Sequence, residues 1–317
     1  MHPFDAHARP TQAASSRRGG DPSRRVWGLF GALALLGAGC SSEAERAPLA
    51  SASGSGAPPQ APVQVGPVAA RRSTADPNPL GLATPALEVA SGATVFTVPE
   101  RMLAGAKLGS ALALRAATVQ GRDGENVVID GRDGPPYKVH PAYVLPLVAG
   151  KRPKLEAPVI AEWAGALRHG VVRKYVKDKV VVRFTDTDDP GDRTLALDHL
   201  MVQTDGFRAG NYAVHRAGAD YDHVLLVSAL GADDGARSWL CIGYAGESSV
   251  VPESELVAVP VSYTPKEGAK VWAEHLGRMR EGVVKSVDRP GLLTIRFDRA
   301  GRTVVKGWGL VMPPVRP

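Results

Sequence analysis

A chain of 317 residues can hold two average domains or several small ones, and a hydrophobic fraction of 44% is ordinary for a globular protein. The formal net charge is +6, but the five Arg and two Asp of residues 1–39 account for half of it. The rest of the chain carries only +3, which is weak evidence for nucleic-acid binding. The two cysteines, Cys40 and Cys241, exclude a disulfide framework, although a single bridge between them is one option.

The N-terminal region has the three parts of an export signal. Arg24 and Arg25 form a basic segment, residues 26–36 form an apolar run, and residues 37–39 are Gly, Ala and Gly. Spanning a bilayer takes about 20 apolar residues, so this run is too short to be a membrane helix. Its length fits the apolar region of a signal peptide.

Small residues followed by Cys40 resemble the lipobox of bacterial lipoproteins. The resemblance implies that residues 1–39 are a lipoprotein signal peptide and that Cys40 is acylated, as with palmitate, so that a lipid anchor holds the chain on a membrane. Gly37 departs from the family's preferred Leu, which leaves an ordinary secretory signal as the alternative. Ser41 implies sorting to the outer membrane, facing the periplasm or the cell surface. Residues 23–27 also resemble a twin-arginine motif, so the export route stays open.

Residues 40–90 are rich in Ala, Ser, Gly and Pro and poor in aromatic residues. Such a composition buries too little apolar surface to offset the entropy of ordering the chain. The segment is therefore predicted to be a disordered tether.

The remaining chain contains an internal repeat. Residues 161–175 align without gaps to residues 273–287, with identity at seven of the fifteen positions. A fixed period of this kind indicates repeated structural units. Looser similarity of the preceding segments suggests a two-module unit used twice. The predicted boundaries are 91–150 for module 1, 155–204 for module 2, 207–262 for module 3 and 266–317 for module 4.

The modules are predicted to be all-β. Short runs rich in β-branched residues, such as 180–184 and 292–297, are separated by Gly, Asp and Pro turns. Strands this short in modules of about 50 residues indicate tandem small SH3-like barrels. Gly170 and Gly282 are expected where a strongly bent strand requires a residue without Cβ.

Ala161, Trp163, Gly165, Gly170 and Val172, followed by a hairpin ending in Val-Arg-Phe, resemble Tudor and agenet modules. In that family an aromatic cage binds methylated Lys or Arg. The resemblance places the cage positions at Trp163, Leu167, Phe184 and Thr187 in module 2, and at His275, Met279, Phe297 and Ala300 in module 4. Tyr175 is a third aromatic residue of the same basic hairpin. The candidate ligand-binding residues are Trp163, Tyr175, Phe184, His275 and Phe297, with Trp163 either a binding platform or a packing residue at the rim.

Other motifs are weaker. Module 2 holds seven Lys or Arg against eight acids, so no nucleic-acid partner is predicted. The acidic segment 186–192 and the group His215, Asp220, Asp222 and His223 match no metal signature, and the sequence holds no hydrolase motif. Neither a cofactor nor a metal nor a catalytic residue is predicted.

The sequence thus predicts a non-catalytic envelope lipoprotein that binds or scaffolds a protein or a cell-wall polymer. Peptidoglycan and anionic polymers are candidate partners. The alternatives are a structural or adhesive envelope component without a discrete pocket, or a hydrolase with an unrecognised site.

Overall fold

The computed structural model describes residues 75–130, 134–147, 152–185, 191–218, 220–231, 236–288, 292–297 and 303–315. The predicted signal peptide, residues 40–74 of the predicted tether, and Cys40 lie outside the described residues. No helix in the described part of the chain is long and apolar enough to cross a membrane.

Among the described residues, the first two modules each contain five strands. In module 1 they are β1 (Thr94–Thr97), β2 (Arg115–Asp123), β3 (Asn126–Asp130), β4 (Tyr137–Val139) and β5 (Val144–Pro146), with a short helix α1 (Glu100–Leu103) between β1 and β2. In module 2 they are β6 (Pro158–Trp163), β7 (Ala166–Val176), β8 (Lys179–Phe184), β9 (Asp192–Ala196) and β10 (Leu200–Val202).

The described residues of the last two modules likewise form five strands each. In module 3 the strands are β11 (Tyr212–Ala217), β12 (Asp220–Gly231), β13 (Arg237–Ile242), β14 (Ser248–Pro252) and β15 (Leu256–Ala258). In module 4 they are β16 (Lys270–His275), β17 (Arg278–Asp288), β18 (Leu292–Phe297), β19 (Thr303–Lys306) and β20 (Val311–Met312). A 3₁₀ turn precedes the last strand in modules 1 to 3, at Pro141–Tyr143, Leu197–His199 and Glu253–Glu255.

All four modules share one topology. Within each module the antiparallel order is fourth, third, second, first and fifth strand. The second strand carries a β-bulge at the same place each time, between Val119 and Gly121 and at the equivalent points of β7, β12 and β17. A bulge increases the local twist, which lets one strand belong to both halves of a small barrel. The predicted fold class, all-β with tandem small SH3-like barrels, is confirmed.

Gly170 and Gly282 lie where their strands approach a neighbour closely. A Cβ on Gly170 would lie 2.5 Å from the carbonyl oxygen of Arg183, and one on Gly282 would lie 2.7 Å from Cγ2 of Ile295. Glycine is therefore needed at both positions, as predicted. The immediate cause is the close approach of the neighbouring strand and not the bending of the strand, because the β-bulge lies further along β7 and β17.

Residues 75–90, assigned by the sequence to the tether, contact module 1. Leu82 is buried, and the amide side chain of Asn78 bonds both the N–H and the carbonyl of Leu82. The backbone N–H of His140 donates to the carbonyl of Pro77 at 3.0 Å. The two leucines Leu80 and Leu82 give this Pro-rich stretch enough apolar surface to pack against the module 1 core.

The modules are joined in pairs by equivalent hydrogen bonds. The N–H of Ala116 in β2 donates to the carbonyl of Gly165 at 3.1 Å, and the N–H of His223 in β12 donates to the carbonyl of Gly277 at 2.8 Å. In each case the β-hairpin of the later module docks on the second strand of the earlier one. Modules 1 and 2, here the first pair, and modules 3 and 4, the second pair, are thus built alike.

Candidate functional site

Two equivalent hairpins carry the residues that the sequence singled out. Ala164 and Gly165 connect β6 to β7 with φ values of 53° and 79°, and Leu276 and Gly277 connect β16 to β17 with φ values of 52° and 82°. Positive φ at both central residues is the signature of the type I′ turn, whose twist matches that of the flanking strands. Each hairpin therefore holds the residue before its turn, Trp163 or His275, in a fixed position.

A buried carboxylate fixes the base of each hairpin. Glu162 accepts a hydrogen bond from the N–H of Gly165 at 2.7 Å, and Glu274 accepts one from the N–H of Gly277 at 2.9 Å. The second carboxylate oxygen contacts Nδ1 of His199 at 3.2 Å in module 2. Both glutamates stabilise the turn, and the sequence analysis did not identify them. The repeated acidic residue inside two apolar strands could have indicated this role.

The module 4 carboxylate is also ion-paired. The second oxygen of Glu274 lies 2.5 Å from Nζ of Lys306, and both side chains are largely buried. Burial by itself would raise the pKa of Glu274, but the hydrogen bonds from Lys306 and from the N–H of Gly277 outweigh it and lower the pKa. The carboxylate is therefore ionised at neutral pH and keeps the hairpin in place.

Trp163 is the exposed aromatic residue of module 2. Its side chain is 38% exposed, and its ring centroid lies 6.4 Å from that of Phe184. Phe184 is buried in the barrel core with Val180 and Val182. The guanidinium of Arg193 lies 5.7 Å from the Trp163 ring centroid, within the range of a cation–π contact. The structure thus brings Trp163 and Phe184 together but leaves only the indole available to a partner.

The corresponding place in module 4 is less aromatic and less exposed. The His275 ring is half-buried with its centroid 4.9 Å from that of Phe297, which is itself in the core. Met279 is buried where modules 3 and 4 meet, and Leu167 packs against a neighbouring core. The remaining cage positions, Thr187 and Ala300, lie outside the described residues.

Tyr175 has a different environment from Trp163. The guanidinium of Arg152 lies 3.7 Å from the Tyr175 ring centroid, and the Tyr175 hydroxyl donates to the carbonyl of Pro153. These contacts hold residues 152 and 153, which precede β6, against β7.

A cluster of four rings, which we call the junction cluster, lies where modules 2, 3 and 4 meet. The His169 and Tyr212 rings stack at 4.4 Å, the Tyr212 and His223 rings lie 4.3 Å apart, and the His169 and Trp308 rings meet edge-on at 5.0 Å. His169, His223 and Trp308 are buried and Tyr212 is half-buried. The sequence offered no signal for this cluster, because its members come from strands and loops up to 139 positions apart.

Hydrogen bonds fix every ring of the junction cluster. Trp308 Nε1 donates to the carbonyl of Gly170 at 2.6 Å, and the Tyr212 hydroxyl lies 3.1 Å from Nδ1 of His169. Nε2 of His223 lies 2.8 Å from the carbonyl oxygen of Gly309. Burial lowers the pKa of His223 to about 4, so its ring is neutral at neutral pH and donates this bond.

The grouping of His215, Asp222 and His223 does not form a metal site. His215 pairs with Asp222 across β11 and β12, whereas His223 pairs with Val214, so the two histidines lie on opposite faces of the hairpin. Nε2 of His215 lies 3.5 Å from a carboxylate oxygen of Glu255. Across the described ranges, no group of three or more His, Cys, Asp or Glu is placed to hold a metal ion.

Comparisons with known proteins give little further information. No family model matches the chain, and no curated protein matches it. One solved structure that it matches is that of the four MBT repeats of Drosophila melanogaster Sfmbt in complex with a methyl-lysine peptide, at 11% identity. The match covers 76% of this chain and 93% of that chain with a TM-score of 0.15, a value too low to establish a common fold.

Proposed function

We propose that the protein is a non-catalytic binding or scaffolding lipoprotein of the bacterial envelope. In this proposal Cys40 carries the lipid anchor, the chain is held on the outer membrane, and the four modules present a binding surface to a protein or a cell-wall polymer. The membrane assignment rests on the lipobox resemblance and on the apolar run of residues 26–36. Several acyl chains on one residue would give durable anchoring, at roughly 0.8 kcal/mol per buried CH₂.

The observation that carries the binding role is the presentation of Trp163. Its indole is 38% exposed at the end of β6, while a type I′ turn and the buried Glu162 fix the backbone beneath it. Exposed Trp on a rigid support is the residue type that most often dominates the energy of protein interfaces. Because the hairpin is already ordered, binding would cost little conformational entropy.

The binding role is tested by retention of the purified protein on isolated peptidoglycan and of envelope proteins on the immobilised protein. We expect Trp163→Ala to reduce retention at least about tenfold, since loss of an interface hot spot costs about 2 kcal/mol or more. The matched control is His275→Ala, which changes the equivalent hairpin position of module 4. Equal retention by the wild type and the Trp163→Ala variant would exclude Trp163 as the binding residue.

The anchor is tested separately by membrane fractionation. We expect Cys40→Ser to move the protein from the membrane to the soluble fraction, because the thiol is the acylation site of the resembled lipobox. Cys241→Ser is the control, since Cys241 is buried in module 3. If the Cys40→Ser protein stays on the membrane, the lipoprotein proposal fails.

A structural role is the second candidate, and the junction cluster favours it. Trp308 of module 4 bonds Gly170 of module 2, and Ser228 of module 3 donates to the carbonyl of Ala142 in module 1 at 2.8 Å. Contacts of this kind make the four barrels one continuous body that could act as a spacer. Retention that no surface substitution alters would favour this reading over specific binding.

A further inference from the structure

A groove of about 420 Å³ lies between module 1 and the hairpin of module 2. Small residues make up its apolar lining, namely Pro99, Ala116, Ala117, Pro135, Ala164 and Gly165. The polar lining comes from Glu100, Arg101, Arg115 and Tyr137. This volume lies within the range of about 300–1,000 Å³ typical of ligand sites.

The groove exists because module 1 carries an insertion that module 3 lacks. Residues 98–114, which include α1, connect β1 to β2, whereas β11 and β12 of module 3 are joined by residues 218 and 219 alone. The paired modules are otherwise built alike, so the insertion is an addition to a duplicated scaffold. It supplies Pro99, Glu100 and Arg101 to the wall of the groove, to which the hairpin of module 2 contributes Ala164 and Gly165.

This wall is held at both ends. Leu103 at the end of α1 and Leu112 are each only 1% exposed. The N–H of Leu112 donates to the carbonyl of Gly246 at 2.7 Å, and the N–H of Ser248 donates to the carbonyl of Ser110 at 3.0 Å, which ties the insertion to module 3. The groove is therefore preformed, and filling it would not require ordering of the chain around it.

The charges of the groove favour a carboxylate. Arg101 and Arg115 are exposed, and within the described ranges neither guanidinium has an ion-pair or hydrogen-bond partner. Tyr137 stays neutral, because burial and the nearby Glu100 raise its pKa to about 12, and its hydroxyl donates to the carbonyl of Val98. The guanidinium fork matches the geometry of a carboxylate.

We infer that this groove binds an extended segment of a partner protein that carries an acidic side chain, with Arg101 and Arg115 binding its carboxylate. The small apolar residues of the lining leave room for a peptide backbone and short side chains. Two arginines beside one glutamate supply too little positive charge for a polyphosphate or a nucleic acid, whose binding requires a series of cationic contacts. The inference rests on the proposed binding function and names the partner chemistry and a second site beside Trp163.

The test is selection of a phage-displayed library of random peptides on the full chain, compared with an Arg101→Gln/Arg115→Gln double variant. Both arginines are exposed, so their replacement leaves the core intact. We expect sequences containing Asp or Glu to be enriched on the wild type and not on the double variant. The matched control is Arg280→Gln, which changes another exposed arginine, in module 4, and on which the enrichment should persist.

Affinity measurements on the most enriched peptide complete the test. Changing its acidic residue to the corresponding amide should weaken binding about tenfold, since a charged hydrogen bond contributes about 1.5 kcal/mol or more. The inference is overturned if enrichment is absent, if Arg280→Gln abolishes it equally, or if polyphosphate competes at lower concentration than the peptide. These results leave the Trp163 retention assay unaffected, so failure of the groove and failure of the proposed function are distinguishable.

Discussion

Acidification is expected to weaken the protein through one buried histidine. His223 is 6% exposed in the junction cluster, where its ring faces Tyr212 and the carbonyl oxygen of Gly309. A charged imidazole is poorly solvated there, and burial lowers the pKa of His223 from 6.5 to about 4. The hydrogen bond to the carbonyl of Gly309 and the nearby Glu274 partly offset this lowering of the pKa, while His169 and Lys306 add to it.

The direction of the effect follows from proton linkage. Between pH 6.5 and about 4 the unfolded chain binds a proton at His223 and the folded chain does not, so stability falls as the pH falls through this window. At pH 5 this amounts to about 2 kcal/mol, and below pH 4 to about 3 kcal/mol, at 1.36 kcal/mol per pKa unit. Losses of this size are a large part of the 5–15 kcal/mol that stabilises a typical domain.

Urea unfolding at pH 7.5 and at pH 5 measures this effect. We expect His223→Gln, whose amide can still donate to Gly309, to lose about 2 kcal/mol less between the two pH values than the wild type. The loss is compared between the two proteins because burial also lowers the pKa of His140. His140 therefore also destabilises both proteins as the pH falls, and the comparison cancels this contribution. Glu274, whose pKa is also lowered, contributes mainly below its ordinary pKa of 4.5.

The matched control is His215→Gln, which changes a half-buried histidine of the same hairpin on the opposite face. Because this variant keeps His223, it should still lose the free energy that protonation of His223 costs between the two pH values. If His223→Gln and the wild type lose the same free energy between pH 7.5 and pH 5, burial of neutral His223 is not what makes the protein acid-sensitive, and the reasoning fails.

Three further predictions follow from close contacts. Gly170→Ala should destabilise the protein by about 1–3 kcal/mol in urea unfolding, whereas Gly121→Ala, with nothing within 4 Å of its Cβ, should cost little. Trp308→Phe removes the buried bond to the Gly170 carbonyl and should lower stability by about 1–3 kcal/mol; an unchanged midpoint would show that this bond is replaced. Lys306→Met leaves the carboxylate of Glu274 buried without its cation and should cost about 3 kcal/mol, a loss that Lys306→Met combined with Glu274→Gln should partly restore.

The barrel fold was predictable because its signals are local. Alternating Val180, Val182 and Phe184 indicate a strand, and the turn glycines indicate turns, within a few residues of each other; the repeat then extends the assignment to the second copy. The same alternation points Phe184 towards the core, which conflicts with its place in an aromatic cage. The structure places Phe184 in the core, since an inward position on a strand is determined by the apolar residues on either side of it.

The contacts between modules were not predictable in this way. Trp308 and Gly170 are 138 positions apart, and nothing in either neighbourhood indicates that they meet. Trp308 belongs to no motif of the sequence, and spacing groups His223 with His215, Asp220 and Asp222 rather than with Tyr212, which it contacts. Their roles depend on how the two pairs pack together, a property of tertiary geometry that no local pattern carries. The extent of the ordered chain was missed for a related reason, since Leu82 needs the module 1 core to pack against.

The two pairs differ most at their surfaces, and this difference locates the candidate sites. The framework is repeated, with a type I′ turn, a buried glutamate and a hydrogen bond to the preceding module in each pair. Trp163 becomes His275 in the second pair, and the insertion of residues 98–114 has no counterpart there. Features needed only for folding would be expected in both copies. Among the residues that the structure describes, the exposed indole of Trp163 and the arginine groove belong to the first pair, while Trp308 of the second pair is buried against module 2. The first pair is therefore where a partner is best sought, and the second pair contacts it through the hydrogen bonds of Trp308 to Gly170 and of Ser228 to Ala142.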